Sequence, residues 1–198
     1  MSLVISAGNS ENLFLGGDGR LSDNDANGNF VILDEDVQKV HILSKYVAVG
    51  FAGHLSDCKE AMNKSCSMML NLNLLQTADV FQNCCKSVLQ SMDSSKNVQM
   101  IVAGKTQHQE TAFYVIRRYL ESFTYDPHLL ANPSVYEFHG ISGLDGDLNW
   151  IDAIMRSSLD MKSNIERAIR EAARRSNTVN DHITMLSFDR INGWTRSV

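Results

Sequence analysis

Residues 2–8 read SLVISAG and residues 13–19 read LFLGGDG, two short apolar stretches separated by a polar turn. Stretches of this kind predict two adjacent strands, the second of which ends at the acidic Asp18. Ser2 directly follows Met1. If Met1 is removed, Ser2 carries both a hydroxyl group and a free amine. A single residue could then supply the attacking oxygen and the general base of a nucleophilic reaction.

The composition is that of an ordinary globular protein. The chain has 198 residues, of which 43% are hydrophobic and 21% are charged, and this length fits one domain. No repeat or linker divides it, so one domain over residues 1–198 is expected. The net charge of −5 argues against a nucleic-acid partner. No apolar run is long enough to span a bilayer and no secretory signal is visible, so we predict a cytoplasmic protein without membrane association.

Cysteine and histidine positions give no sign of a metal or a redox centre. The spacing of Cys58, Cys66, Cys84 and Cys85 matches neither a zinc site nor a C-x-x-C motif, so we interpret them as reduced thiols. The six histidines are scattered along the chain, and none lies at ligand spacing from another. The sequence therefore predicts no metal and no cofactor.

Hydrophobic periodicity predicts groups of strands that alternate with pairs of helices. Residues 22–29 are rich in Gly, Asn and Asp and are interpreted as a loop, and Pro127 and Pro133 are expected to bracket another. This grouping favours an α+β fold, a four-layer αββα sandwich of two mainly antiparallel sheets flanked by helical pairs. The expected strands include residues 31–33, 38–43, 46–53, 98–103, 111–116, 135–139 and 182–188. The expected helices are residues 54–71, a segment after Thr77, 151–158 and 163–175.

Five short motifs follow one another along nearly the whole chain. They are SLVI at 2–5 with GGDG at 16–19, QKVHIL at 38–43, VGFAG at 49–53, VAG at 102–104 and ISG at 141–143. In this order and at these intervals the motifs resemble those of proteasome β-type subunits. The peptidase of the bacterial two-component ATP-dependent protease, a proteasome homologue, is especially similar.

The resemblance implies an N-terminal-nucleophile hydrolase that cleaves amide or peptide bonds in peptide or protein substrates. It implies a homo-oligomeric ring with active sites facing an enclosed chamber, and a possible ATPase partner that feeds folded substrates. It also implies that Ser2 occupies the nucleophile position, where the family usually has Thr. Lys39 matches the lysine whose ammonium lowers the proton affinity around the nucleophile, and Asp18 matches the carboxylate that pairs with it.

Three further positions correspond to supporting roles in the family. The backbone N–H of Gly53 would point at the developing oxyanion, where a backbone donor is sufficient. Ser142 matches a hydroxyl that orients the N-terminal amine. Arg20 matches a structural charge close to the same carboxylate.

A missing acidic residue and the question of whether Met1 is removed keep a non-catalytic alternative open. The family usually places an aspartate after the arginine at the end of the last long helix, whereas Arg175 is followed here by Ser176. The segment that precedes Lys39 is also longer than in the bacterial relative. The chain could therefore be a proteasome-like scaffold or binding subunit that assembles without performing chemistry.

A second alternative is a metal-dependent phosphatase of the PPM type. GDG at 17–19 and NDHIT at 180–184 faintly resemble the acidic motifs with which those enzymes hold two divalent metals. Such enzymes share a layered αββα outline and use the metals to activate water.

Overall fold

A computed structural model of the chain describes residues 2–24, 26–93, 95–142, 148–157 and 160–197. No helix within these ranges is long and apolar enough to cross a lipid bilayer. The elements are β1 (Leu3–Gly8), β2 (Asn12–Asp18), β3 (Leu21–Asn24), β4 (Phe30–Asp34), β5 (Val40–Ser44), β6 (Val47–Gly53), α1 (Leu55–Asn71), α2 (Ala78–Ser91), β7 (Val98–Lys105), β8 (Thr111–Tyr119), β9 (Ser122–Leu130), β10 (Glu137–Ser142), α3 (Asn149–Met155), α4 (Met161–Arg175), β11 (Ile183–Asp189) and β12 (Gly193–Ser197).

The strands form two five-stranded sheets and a small hairpin. The first sheet has the order β10-β1-β2-β11-β12, the second runs β5-β6-β7-β8-β9, and β3 pairs with β4. Every pairing is antiparallel. Helices α1 and α2 cover the outer face of the second sheet, and α3 and α4 cover the outer face of the first. The predicted αββα sandwich is confirmed.

Side-chain alternation along the strands builds the three apolar layers. In β6, Val47, Val49 and Phe51 pack against the helices, while Ala48 and Ala52 face the other sheet. This period of two is what a strand covered on both faces requires. Burying each large apolar side chain fully contributes roughly 1.5–3 kcal/mol to stability.

The two sheets approach each other closely where β6 crosses β1. A Cβ atom at Gly50 would lie 2.6 Å from a methyl carbon of Val4 and 3.3 Å from one of Val40. Only glycine fits at this contact, because a methyl group would collide with the neighbouring sheet. The close approach brings the start of β1 and the start of β5 to the same region of the sandwich.

Two segments interpreted as loops are strands. Leu21–Asn24 and Phe30–Asp34 form the β3–β4 hairpin, so residues 22–24 of the expected loop belong to a strand, whereas residues 31–33 were expected to be one. Pro127 lies within β9, paired with Tyr114 of β8. Because β9 is the edge of its sheet, the N–H that proline lacks is not needed by a further strand.

The start of the last helix also differs from the prediction. Helix α4 begins at Met161, two residues before Ser163. The Asp160 side chain accepts a hydrogen bond from the Ser163 N–H at 3.0 Å, which caps the helix and fixes where it starts.

Candidate active site

Asp18 and Lys39 form a buried ion pair between the end of β2 and the start of β5. The Lys39 ammonium donates to both carboxylate oxygens of Asp18, at 2.9 Å each, and its third proton goes to the carbonyl oxygen of Arg20. The two side chains are almost inaccessible, with exposed fractions of 1% for Asp18 and 3% for Lys39. Since all three ammonium protons have acceptors, Lys39 acts on its neighbours through its charge and not through a further hydrogen bond.

Burial and ion pairing have opposite effects on the charge of Lys39. Burial lowers the pKa of Lys39 below its usual range, while the Asp18 charge and hydrogen bonds oppose that shift and the nearby Arg20 charge adds to it. A buried ammonium is stable only with such a partner, because desolvation otherwise costs several kcal/mol. The pair is therefore one electrostatic unit, and each charge depends on the other.

The chain start is attached directly to this pair. The Leu3 N–H donates to Asp18 Oδ1 at 2.8 Å, and the β1–β2 register pairs Val4 with Gly17. Ser2 is therefore one residue from an N–H that contacts the carboxylate, and only 6% of Ser2 is exposed. Met1, whose removal the nucleophile prediction requires, lies outside the described residues.

Gly53, the residue expected to supply the oxyanion donor, has a backbone conformation that favours glycine. Successive N–H groups of a strand point to opposite sides, and the Phe51 N–H donates to the Lys39 carbonyl oxygen at 3.0 Å. The Gly53 N–H, two residues later, therefore points to the same side, past the start of β5. Gly53 has φ +123°, and a Cβ there would lie 2.3 Å from the Asn97 carbonyl oxygen, so no other residue fits without strain.

Ser142 lies on the opposite side of β1 from Asp18. It is the last residue of β10 and pairs with Leu3, and its carbonyl oxygen accepts a hydrogen bond from the Gln99 side-chain amide at 3.1 Å. Gly143, the last residue of the ISG motif, lies outside the described residues. The structure thus places Ser142 beside the start of the chain.

Arg20 hydrogen-bonds to the pair through its backbone, while its guanidinium binds another carboxylate. Its N–H donates to Asp18 Oδ2 at 3.1 Å, whereas its guanidinium forms two hydrogen bonds with Glu35, at 3.0 and 2.9 Å. A hydrogen bond from Arg20 and a second from Asn180 lower the pKa of Glu35 below its usual range. The expected charge close to Asp18 is therefore directed towards a different carboxylate.

Asn180 completes this network and was not predicted. It accepts a hydrogen bond from the Gly19 N–H at 2.9 Å and donates to the Glu35 carbonyl and carboxylate oxygens, at 2.8 and 2.7 Å. Asn180 is only 4% exposed. The one sequence signal was the unusual segment after Arg175, which marked a difference from the family but did not identify the partner.

A cleft of about 570 Å³ is lined by Gly53 but not by Ser2, Asp18 or Lys39. Its volume is typical of small-molecule or peptide sites. Gly53 and His54 form one side of it, and Leu21, Phe30 and Leu33 of the β3–β4 hairpin form an apolar wall. The longer segment before Lys39 therefore lines the cleft.

A second polar cluster in the cleft has the residue types of a catalytic triad but not its geometry. His54 Nδ1 lies 3.0 Å from Ser56 Oγ and 3.2 Å from Asp57 Oδ2, and Lys96 pairs with Asp57 at 2.7 Å. In a triad, serine and aspartate use opposite ring nitrogens. Because both contacts here fall on one nitrogen, His54 cannot relay a proton between them.

The Asp18 geometry does not favour the phosphatase alternative. Both Asp18 oxygens are held by the Lys39 ammonium, and a divalent cation at the same oxygens would be repelled by that charge. Asp181, the other acidic residue of the resemblance, is exposed.

Comparison with known proteins supports the fold and gives no closer assignment. No protein-family model matches the sequence, and no curated protein matches it significantly. The crystal structure of eukaryotic HslV from Trypanosoma brucei matches with a TM-score of 0.67, covering 94% of this chain and 99% of that chain at 14% identity. The chain has a proteasome-like fold. At this identity the likeness shows the fold alone, so the roles of Ser2 and the other site residues stay predictions.

Proposed function

We propose that the chain is a proteasome-like N-terminal-nucleophile hydrolase that cleaves amide bonds in peptide or protein substrates. The observation that carries the proposal is the buried Asp18–Lys39 pair and its direct hydrogen bond to the Leu3 N–H. A purely structural β1 does not need an isolated ion pair at its first residue, because burying two charges seldom adds net stability. A fixed positive charge next to the chain start is what an amine acting as a general base needs.

In the proposed mechanism, removal of Met1 frees the Ser2 amine. An α-amine titrates near 7.7–8.0, and the Lys39 charge lowers its proton affinity further. The neutral amine takes the proton of the Ser2 hydroxyl as its oxygen attacks the substrate carbonyl. The Gly53 N–H stabilises the oxyanion, and Ser142 orients the amine.

The amine then returns the proton to the departing nitrogen, and the acyl group stays on Ser2. Water, deprotonated by the same amine, attacks this ester and releases the acid, which restores the hydroxyl. No cofactor takes part in these steps.

The proposal also covers organisation and location. One proteasome-like domain over residues 1–198 assembles into a homo-oligomeric ring in the cytoplasm, and an ATPase partner supplies folded substrates. The fold match with HslV supports the ring only by analogy, since a shared fold does not fix function.

A non-catalytic scaffold is the second candidate, favoured by the replacement of the expected aspartate with Ser176. Intact mass and covalent labelling separate the two. The hydrolase predicts a mass that lacks one methionine and capture of Ser2 by a hydroxyl-directed electrophile. A retained Met1 with no labelling supports the scaffold.

Two variants make the labelling test specific. Ser2→Ala should abolish capture, whereas Ser56→Ala, which removes a hydroxyl that lines the cleft, should leave it unchanged. If labelling persists in Ser2→Ala and disappears in Ser56→Ala, the labelled residue is Ser56 and the proposed mechanism is wrong.

A further inference from the structure

A cluster of metal-ligand side chains joins the edges of the two sheets, away from the Asp18–Lys39 pair. Asp126 and His128 lie on β9, two residues apart and therefore on one face of the strand, and His139 lies on β10. One ligand atom from each of the three residues lies within 4.8 Å of the others. Histidine spacing along the chain did not predict this cluster, because the two histidines come from different sheets.

The ring of His128 is oriented in the way a metal ligand requires. Its Nδ1 lies 3.1 Å from a Glu137 carboxylate oxygen, and the ring stacks on Phe113 with 4.4 Å between centroids. A carboxylate on one nitrogen places the proton there and leaves a lone pair on the other, as is usual for histidines that bind metals.

The other nitrogen of His128 lacks a suitable partner. Its Nε2 is buried and makes no hydrogen bond, yet it lies 3.3 Å from Asp126 Oδ2. With the proton on Nδ1, two lone pairs face each other across this distance. Such a contact costs free energy unless a cation, either a proton or a metal ion, lies between the two atoms.

We propose that Asp126, His128 and His139 bind a divalent transition-metal ion of the Zn²⁺ type. Ligands of a tetrahedral zinc ion lie about 3.4 Å apart, given metal–ligand distances near 2.05 Å. The contacts from Asp126 Oδ2 to His128 Nε2 and to His139 Nδ1 are 3.3 and 3.7 Å. Two imidazoles and one carboxylate suit zinc, cobalt or nickel and leave one position open.

Solvent can reach the cluster. An open groove of about 350 Å³ runs past His128 and Glu137, which gives an ion a route of entry. Once bound, the ion would link β9 at the edge of one sheet to β10 at the edge of the other. Strand β10 also pairs with β1, so the link lies on the strand next to the chain start.

Arg117 limits the affinity of the site. Its Nη2 contacts His139 Nε2 at 2.5 Å and the Gly140 carbonyl oxygen at 3.4 Å. When His139 binds a metal through Nδ1, its proton moves to Nε2, which then faces the guanidinium donor. Arg117 must shift towards Gly140 for the ion to bind, and its positive charge opposes the ion.

Metal titration of the whole chain after chelator treatment tests the site. Isothermal titration with Zn²⁺ should show one ion per chain, and thermal denaturation should shift upwards with added metal. Asp126→Asn and His128→Gln should each weaken binding by at least about 10-fold. His108→Gln removes an exposed histidine of the turn before β8 and should leave the affinity unchanged.

Two further measurements keep the result unambiguous. Co²⁺ should give the absorption of a nitrogen and oxygen site; a thiolate charge-transfer band would place the ion on cysteine and overturn the proposal. Arg117→Gln should bind Zn²⁺ more tightly than the natural chain and keep the same Co²⁺ spectrum, whereas a misfolded variant would bind the metal through its exposed thiols. Absence of zinc binding by the natural chain, or full binding by folded His128→Gln, would also overturn it.

Discussion

Replacing Lys39 with methionine removes the ammonium, keeps an unbranched stem and leaves the Asp18 carboxylate buried. The carboxylate retains two backbone donors, the N–H groups of Leu3 and Arg20. Leaving one member of a buried pair uncompensated costs about 3–5 kcal/mol. The free-energy cost of the unpaired charge has an upper limit, because the carboxylate can take up a proton instead. Adding a proton to an ordinary aspartate at pH 7 costs about 4 kcal/mol. We expect Lys39→Met to lower the free energy of unfolding by about 3–4 kcal/mol at pH 7.

This loss of stability should become smaller as the pH falls. In the variant the folded carboxyl takes up a proton more readily than the unfolded one, so the folded state gains stability relative to the natural chain as the pH falls. The loss should shrink by about 1.4 kcal/mol per pH unit between pH 7 and 5. Urea unfolding followed by circular dichroism at pH 5, 6 and 7 measures it.

Lys64→Met is the matched control, because Lys64 pairs with Glu60 on the exposed face of α1 at 2.7 Å. Its loss should stay below about 0.5 kcal/mol. A loss below about 1 kcal/mol for Lys39→Met at pH 7, or one that stays constant from pH 7 to 5, would refute the view that a buried charge pair holds the chain start.

Two other predictions concern backbone fit and thiol reactivity. Gly53→Ala should destabilise the protein by about 2–4 kcal/mol in urea unfolding and slow the labelling of Ser2. Gly28→Ala is the control, because Gly28 has φ +82° but open space around it. It should cost only about 1 kcal/mol. Burial raises the pKa of Cys58 to about 12, so a disulfide reagent at pH 8 should modify Cys58 far more slowly in the folded protein than in urea; equal rates in the two states would contradict its burial.

Much of the fold follows from local patterns, and the exceptions have local causes. Strand β6 and helix α1 were predicted because their apolar residues recur with the period of each structure. Strand β9 was missed because Pro127 signals a break, whereas an edge strand tolerates it. Strand β3 was missed because Gly, Asn and Asp residues dominate the short segment that contains it.

The candidate site was also predicted only in part. Asp18 and Lys39 were placed together by resemblance to a family, since nothing in their spacing along the chain requires contact. Asn180 and Glu35 were missed because they are 145 positions apart, and their contact depends on how β11 and the segment before β5 pack. Contacts of this kind depend on how distant segments pack in the folded chain, which a single sequence does not reveal.

The two departures from the family pattern are connected in the structure. The aspartate expected after Arg175 is absent, and Asn180 takes part in the network near the chain start instead, accepting from the Gly19 N–H and donating to Glu35. Glu35 belongs to the longer segment between β2 and β5, and it binds the Arg20 guanidinium. A carboxylate is therefore present beside Arg20, supplied by the longer segment and not by the end of α4. The missing aspartate alone therefore does not decide for an inactive scaffold, and the state of the Ser2 amine becomes the deciding question.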